Sequence, residues 1–177
     1  MSSDSLSGNI SNDLSELYEA FDILTKLKDD LAKKSVKLTV QFETLAQQTK
    51  RRKKQRMYEE ISNKIRQTYV LASDAHGIAD YILKILNLFF TTPDHTTTFS
   101  VEMRGVKIDK DSVRAAIYEL TLEIEQLTNE LSRIVDEYKN VIESQYVGAI
   151  EQYISMLEDF RSAFVRFGEI ATNILPS

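Results

Sequence analysis

Over most of this 177-residue chain an apolar side chain returns every three or four positions. The first such stripe reads Leu14, Leu17, Phe21, Leu24, Leu31, Leu38, Phe42 and Leu45, with Lys28 and Ser35 filling two slots of the same count. A second runs Tyr58, Ile61, Ile65, Thr68, Ala72, Ala75, Ala79, Ile82, Leu86 and Phe89. The third, Val113, Ile117, Leu120, Ile124, Leu127, Leu131, Ile134 and Tyr138, is the most regular. A spacing of three and four places one face of a helix against another helix and leaves no face patterned for a sheet. Five Gly and two Pro in the whole chain are too few for the turns of a sandwich or barrel. The expected class is all-α: a long antiparallel helical hairpin or a coiled-coil-rich bundle.

The stripe fails in one place. From Gln47 to Arg56 no apolar side chain occurs, and Lys50, Arg51, Arg52, Lys53, Lys54 and Arg56 crowd into that gap. The chain carries a net charge of −5, so the remainder without those six cations carries −11. Residues 111–177 alone sum to −7, an acidic surface in the same molecule as the basic run. A helix that must bury a stripe cannot bury this stretch. Something acidic covers it or it stays in water.

The boundaries follow from the pattern. Residues 1–12 are polar and Ser-rich and are expected to be disordered. One helical domain occupies 13–177, with a helical arm at 13–91, a tip ribbon or loop at 92–109, and a second arm at 110–175. Asp13 and Glu16 form a capping-box variant at the first start. Pro93 closes the first arm. Alternation at Thr97, Phe99, Val101 and Met103, followed by Arg104-Gly105, predicts a short β-hairpin or extended tip over 97–108. Asp109 or Asp111 caps the second arm. Ile142, Tyr146 and Ile150 step by four, a stutter in which Gly148 marks a kink. Two architectures fit. Continuous arms make one long hairpin. Folding back near 50 and near 148 makes a four-helix bundle. Positions 50–56 hold no Gly, Pro, Asn or Asp and 145–151 is poor turn sequence, which favours long helices. One hairpin of that length buries little per residue, so a second copy or a helical partner is expected to complete the core.

Little points to chemistry. No Cys is present, which excludes disulfides, thiolate metal sites and thiol catalysis. There is no Gly-rich phosphate loop, no His-Glu-x-x-His and no Glu-x-x-His. His76 and Asp80 stand i, i+4, a spacing that a solvated polar face explains better than a metal site does. His95 is expected in an exposed loop. The expectation is a non-enzyme with no catalytic residue, metal or cofactor. The start lacks a basic segment followed by an apolar one, so no cleaved signal peptide is read. The most apolar stretch, 78–90, is shorter than the roughly 20 residues of a membrane span. A soluble protein is expected, cytoplasmic or exported without a cleaved signal.

The partners expected are therefore proteins: a second copy or a helical hetero-partner. Leu120, Ile124, Leu127, Leu131, Ile134, Phe160, Phe164 and Phe167 form the expected association interface, which Leu127→Asp would dissolve. The basic run Lys50, Arg51, Arg52, Lys53, Lys54 and Arg56 forms the expected docking surface, with Asp136, Glu137, Glu143, Glu151, Glu158 and Asp159 as acidic counterparts. Two rivals involve membranes: the basic run on anionic lipid, or an inserting face of Ile78, Tyr81, Ile82, Ile85, Leu86, Phe89 and Phe90. A nuclear address is a further reading of the run. Nucleic acid is disfavoured, because no aromatic is interleaved and the balance is acidic.

Two short strings carry a family likeness. Lys107-Ile108-Asp109-Lys110 leading into Val113-Arg114-Ala115-Ala116, and Phe167-Gly168-Glu169-Ile170, resemble the final helix of extracellular filament subunits and translocator-associated proteins of type III secretion systems. The layout of polar start, long helix, irregular middle and long last helix is similar too. The first helix departs from that family, since it lacks a strongly apolar early segment and is followed by the basic run. The resemblance implies homopolymerisation through the two terminal helices and a dedicated secretion chaperone.

Overall fold

The stripes close on one another within a single chain. A computed structural model describes residues 3–91, 102–103, 106–107 and 109–175, with side-chain surroundings at 12–88, 90 and 109–175. Four helices carry it: α1 (Ser3–Gln48), α2 (Arg52–Thr91), α3 (Lys110–Tyr138) and α4 (Ser144–Ile174). Cross-helix pairs fix the topology. Phe42 meets Tyr58 between α1 and α2, with ring centroids 6.0 Å apart. Lys64 reaches Glu130 between α2 and α3. Arg161 reaches Glu125 between α3 and α4. Phe42 also meets Tyr146 between α1 and α4, with centroids 5.9 Å apart. In each pair one index rises as the other falls, so neighbours run antiparallel in an up-down-up-down bundle. At 1.5 Å per residue α1 is about 69 Å long and α4 about 46 Å.

The bundle corrects the expectation of two continuous arms. Thr49, Lys50 and Arg51 lie outside helix, and so do residues 139–143. Neither turn uses Gly or Pro. The reason is energetic. A continuous helix through 47–56 would carry ten positions with nothing to bury. Folding back brings Ile61, Ile65, Ala72, Ala75 and Ala79 onto α1, each at 0% exposure. Each fully buried Ile adds about 1.5–3 kcal/mol. The turn itself needs only the Arg51 carbonyl, which accepts from the Gln55 N–H at 2.9 Å and starts α2. The second break likewise falls at Lys139–Glu143 and not at Gly148, which sits inside α4 with open space around its Cα. Ile142 anchors that turn by being buried within it.

Other expectations are changed at the start and resolved at the second arm. Helix α1 begins at Ser3, so 3–12 is helical backbone and Asp13 lies inside the helix. Leu6 and Ile10 continue the spacing of Leu14 and Leu17 towards the start, which gives this stretch a helical period. Of the ribbon over 97–108, the described residues show two two-residue segments, Glu102–Met103 and Val106–Lys107. They pair antiparallel, Glu102 opposite Lys107 and Met103 opposite Val106. The rest of that stretch, with Pro93 and His95, lies outside the described residues. Asp109 caps α3 by accepting from the Ser112 N–H at 2.8 Å.

The core is continuous from Leu17 to Leu175. Its widest side chains are Phe42, Tyr153, Phe160, Phe164 and Phe167, all at 0% exposure. A polar layer crosses its middle. The Tyr153 hydroxyl sits 2.9 Å from Thr68 Oγ1 and donates to the Ile65 carbonyl at 3.3 Å. Burial pushes the Tyr153 phenol up to about 12, against the opposing pull of its bonds to Thr68 and Ser35. Near the other end Gly168 lets α4 approach α3: a Cβ there would stand 2.7 Å from Ile117 Cγ2.

Candidate functional site

The antiparallel order puts the α1–α2 turn and the α3–α4 turn at one end. The Phe42, Tyr58 and Tyr146 rings pack beneath both. This end gathers seven cations: Lys50, Arg51, Arg52, Lys53, Lys54, Arg56 and, from the second turn, Lys139. Over residues 49–56 and 139–143 one carboxylate, Glu143, stands against them. Lys50, Arg51, Arg52, Lys53, Arg56 and Lys139 are exposed and Lys54 is half-buried. Lys54 Nζ lies 6.0 Å from the Tyr58 ring centre, at the limit of a cation–π contact. Val141 stands beside Lys139, 53% exposed.

Electrostatically, these charges destabilise the segment that holds them. Arg52, Lys53 and Lys54 occupy the first turn of α2, which contains no acidic residue. The positive end of the helix dipole lies there, and each misplaced cation costs about 0.3–1 kcal/mol. Arg52 and Arg56 are like charges at i, i+4, which adds about 0.2–0.5 kcal/mol. Among the described residues none of the seven cations forms an ion pair, and the five ion pairs seen there lie elsewhere, including Lys64–Glu130, Arg66–Glu43 and Arg161–Glu125. Of the expected acidic counterparts, Asp136, Glu137 and Glu143 form an exposed collar at the same end. Glu151, Glu158 and Asp159 lie exposed along α4. Glu137 holds the neighbouring Tyr138 phenol above its ordinary value.

The expected association interface falls elsewhere. Ile124, Leu131, Ile134, Phe160, Phe164 and Phe167 are buried in the chain's own core, and Leu120 and Leu127 are half-buried. The six buried side chains are satisfied by partners inside one chain and are not presented to a second, which corrects the expectation for them. The 78–90 face is likewise core: Ile82, Leu83, Ile85 and Leu86 are buried, Ile78, Tyr81 and Phe90 half-buried. No helix among the described residues is long and apolar enough to cross a membrane.

His76 also has an internal role. Its Nε2 lies 2.8 Å from Thr25 Oγ1, and its ring stacks on Phe21 at 4.9 Å. Burial and the nearby Lys28 hold its pKa below the ordinary value, against Asp80 and Asp29. Asp80 pairs with Lys84 at 2.8 Å. Among the described residues no group of three His, Cys, Asp or Glu side chains converges as metal ligands would.

One feature of the surface escaped the spacing argument. Between α2 and α3 runs an open groove of about 490 Å³, floored by Val70, Leu71 and Leu127 and rimmed by Asp74, Glu123, Glu130 and Arg66, whose guanidinium is held by Glu43. Val70 falls off the α2 stripe, and an apolar residue off-stripe is the signal that marks it. Compared with known proteins, the chain matches no family model, no curated protein and no solved structure.

Proposed function

We propose that this chain is a non-enzymatic interaction protein that docks through the basic end of its bundle onto an acidic protein surface. One observation carries the reading: seven cations gather at one end of the bundle with no ion-pair partner among the described residues, and three of them, Arg52, Lys53 and Lys54, stand in the first turn of α2, where the helix dipole makes a cation unfavourable. An acidic partner removes that repulsion on binding and gains steering from the concentrated field. Under the resemblance to type III secretion filament subunits, the reading becomes that of a subunit recruited to an assembly.

Binding of a labelled acidic polypeptide, poly-L-glutamate, tests it. The wild-type chain binds at low salt, and Lys53→Glu/Lys54→Glu abolishes binding. A reversal that leaves the affinity intact contradicts the proposal. A second reading, docking on an anionic membrane surface, is favoured by Val141, an exposed apolar side chain beside Lys139. Co-flotation with phosphatidylserine vesicles, but not with phosphatidylcholine vesicles, separates it from the first.

A further inference from the structure

The basic end leaves a second unusual surface unexplained. On α1 the consecutive outward positions Lys33, Val36, Lys37 and Val40 form a ridge. The two valines are 63% and 56% exposed, one helical turn apart. The α2–α3 groove is the inverse of this ridge. Its floor is apolar, with Val70 56% exposed above Leu71 and Leu127. Of its three rim carboxylates, Glu130 is held by Lys64. Asp74 and Glu123 are exposed and form no ion pair among the described residues, and the same holds for Lys33 and Lys37.

We infer that the α2–α3 groove receives the α1 ridge of a second copy of this chain. Val36 and Val40 sit on the groove floor as helix-in-groove anchors, and Lys33 and Lys37 meet Asp74 and Glu123. Charge complementarity selects this occupant. The ridge brings two cations where the groove has two unpaired anions, whereas ridge on ridge or groove on groove opposes like charges. Ridge and groove lie on different sides of the bundle, so the contact is head-to-tail. It propagates as a ring or an open filament instead of closing as a two-fold dimer. It uses none of the residues of the basic end.

Sedimentation of the full chain from micromolar to millimolar concentration tests this. Wild type is expected to grow in mass with concentration from the 20.3 kDa monomer. Lys33→Glu/Lys37→Glu and Asp74→Lys/Glu123→Lys each place like charges at the contact and are expected to weaken association at least about tenfold. The decisive arm mixes the two. Reversed ridge then meets reversed groove, and native ridge meets native groove, so association returns. Val40→Glu added to both chains of the mixture removes it. All four reversed positions are exposed, and unchanged helicity confirms the fold. A wild type that stays at 20.3 kDa throughout overturns the inference. So does a mixture that fails to restore association, or reversals without effect. Lys53→Glu/Lys54→Glu is expected to lose poly-glutamate binding and keep self-association, since the two surfaces are separate; a wild type that self-associates without binding poly-glutamate overturns the proposed function and leaves this inference standing.

Discussion

Three helical glycines have described surroundings, and the structure assigns them opposite signs. Around Gly77 in α2 and Gly148 in α4 no atom comes within 4 Å of an added Cβ. At Gly168 an added Cβ meets Ile117 at 2.7 Å from Cγ2, 3.1 Å from Cγ1 and 3.3 Å from Cβ. Replacing Gly by Ala inside a helix gains about 0.5–1 kcal/mol from the entropy of the unfolded chain. Gly77→Ala and Gly148→Ala should each show that gain. In a chain of this length it raises Tm by about 1–4 °C. At Gly168 the same gain is opposed by overpacking of about 1–3 kcal/mol. Ile117 is β-branched, and its stiff χ1 cannot swing its Cγ atoms away. The net expectation is a loss of about 1–2 kcal/mol, or roughly 2–8 °C in Tm. A double-mutant cycle by thermal and urea unfolding isolates the contact. Ile117→Val keeps both Cγ atoms and gives no relief. Ile117→Ala removes them, and in that background Gly168→Ala should turn stabilising. If Gly168→Ala raises Tm as the other two do, the close approach of α3 and α4 is wrong, and with it the register of the last two helices.

Two further expectations come from the core and its histidine. Phe164→Ala should cost about 3–5 kcal/mol in urea unfolding, independent of protein concentration, because Phe164 packs inside one chain; a concentration-dependent loss would return it to an intermolecular seam. His76 has a folded-state pKa below its unfolded value of about 6.5, so the unfolded chain takes up the proton first as pH falls. Its contribution is complete above the unfolded pKa and is lost as pH falls from there towards the lower folded one. Lys28, Asp29 and Asp80 face the ring across that window. His76→Gln should flatten the pH dependence of Tm there relative to wild type, and an unchanged slope would refute the assignment.

Much of the core was legible because burial in a bundle follows period alone. Leu17, Leu24, Leu31 and Leu38, or Ile124 and Leu131, are core by spacing and core in the fold. The turns were misread because Gly and Pro were taken as the markers of a fold-back. Here the marker is the ten-residue apolar gap itself: once burial stops, water and charge repulsion open the chain without a special residue. The stutter at Ile142, Tyr146 and Ile150 marked a real interruption but not its place, since Ile142 leaves the helical series to plug the turn. The association interface was misplaced for a related reason. A heptad stripe says that a helix has a partner, and only tertiary structure says whether that partner lies in the same chain. The basic run was visible in the sequence. Its meeting with Lys139 and Val141 was not, because more than eighty residues separate the two turns. The α2–α3 groove and the Val36–Val40 ridge were hidden because both depend on which faces the bundle leaves outside.

The central claim is that the basic end is a docking surface and not a solvated turn. Fluorescence anisotropy of labelled poly-L-glutamate, titrated with the full chain at low and at high salt, tests it most directly. Lys53→Glu/Lys54→Glu should abolish binding. Lys26→Glu/Lys33→Glu, an equal change in net charge on the side of α1, should leave most of it. Binding should weaken steeply as salt rises, because exposed charges are screened beyond about 8–10 Å at physiological ionic strength. Equal loss in the two variants would show that net charge and not the basic end attracts the acidic chain, and the account would fail.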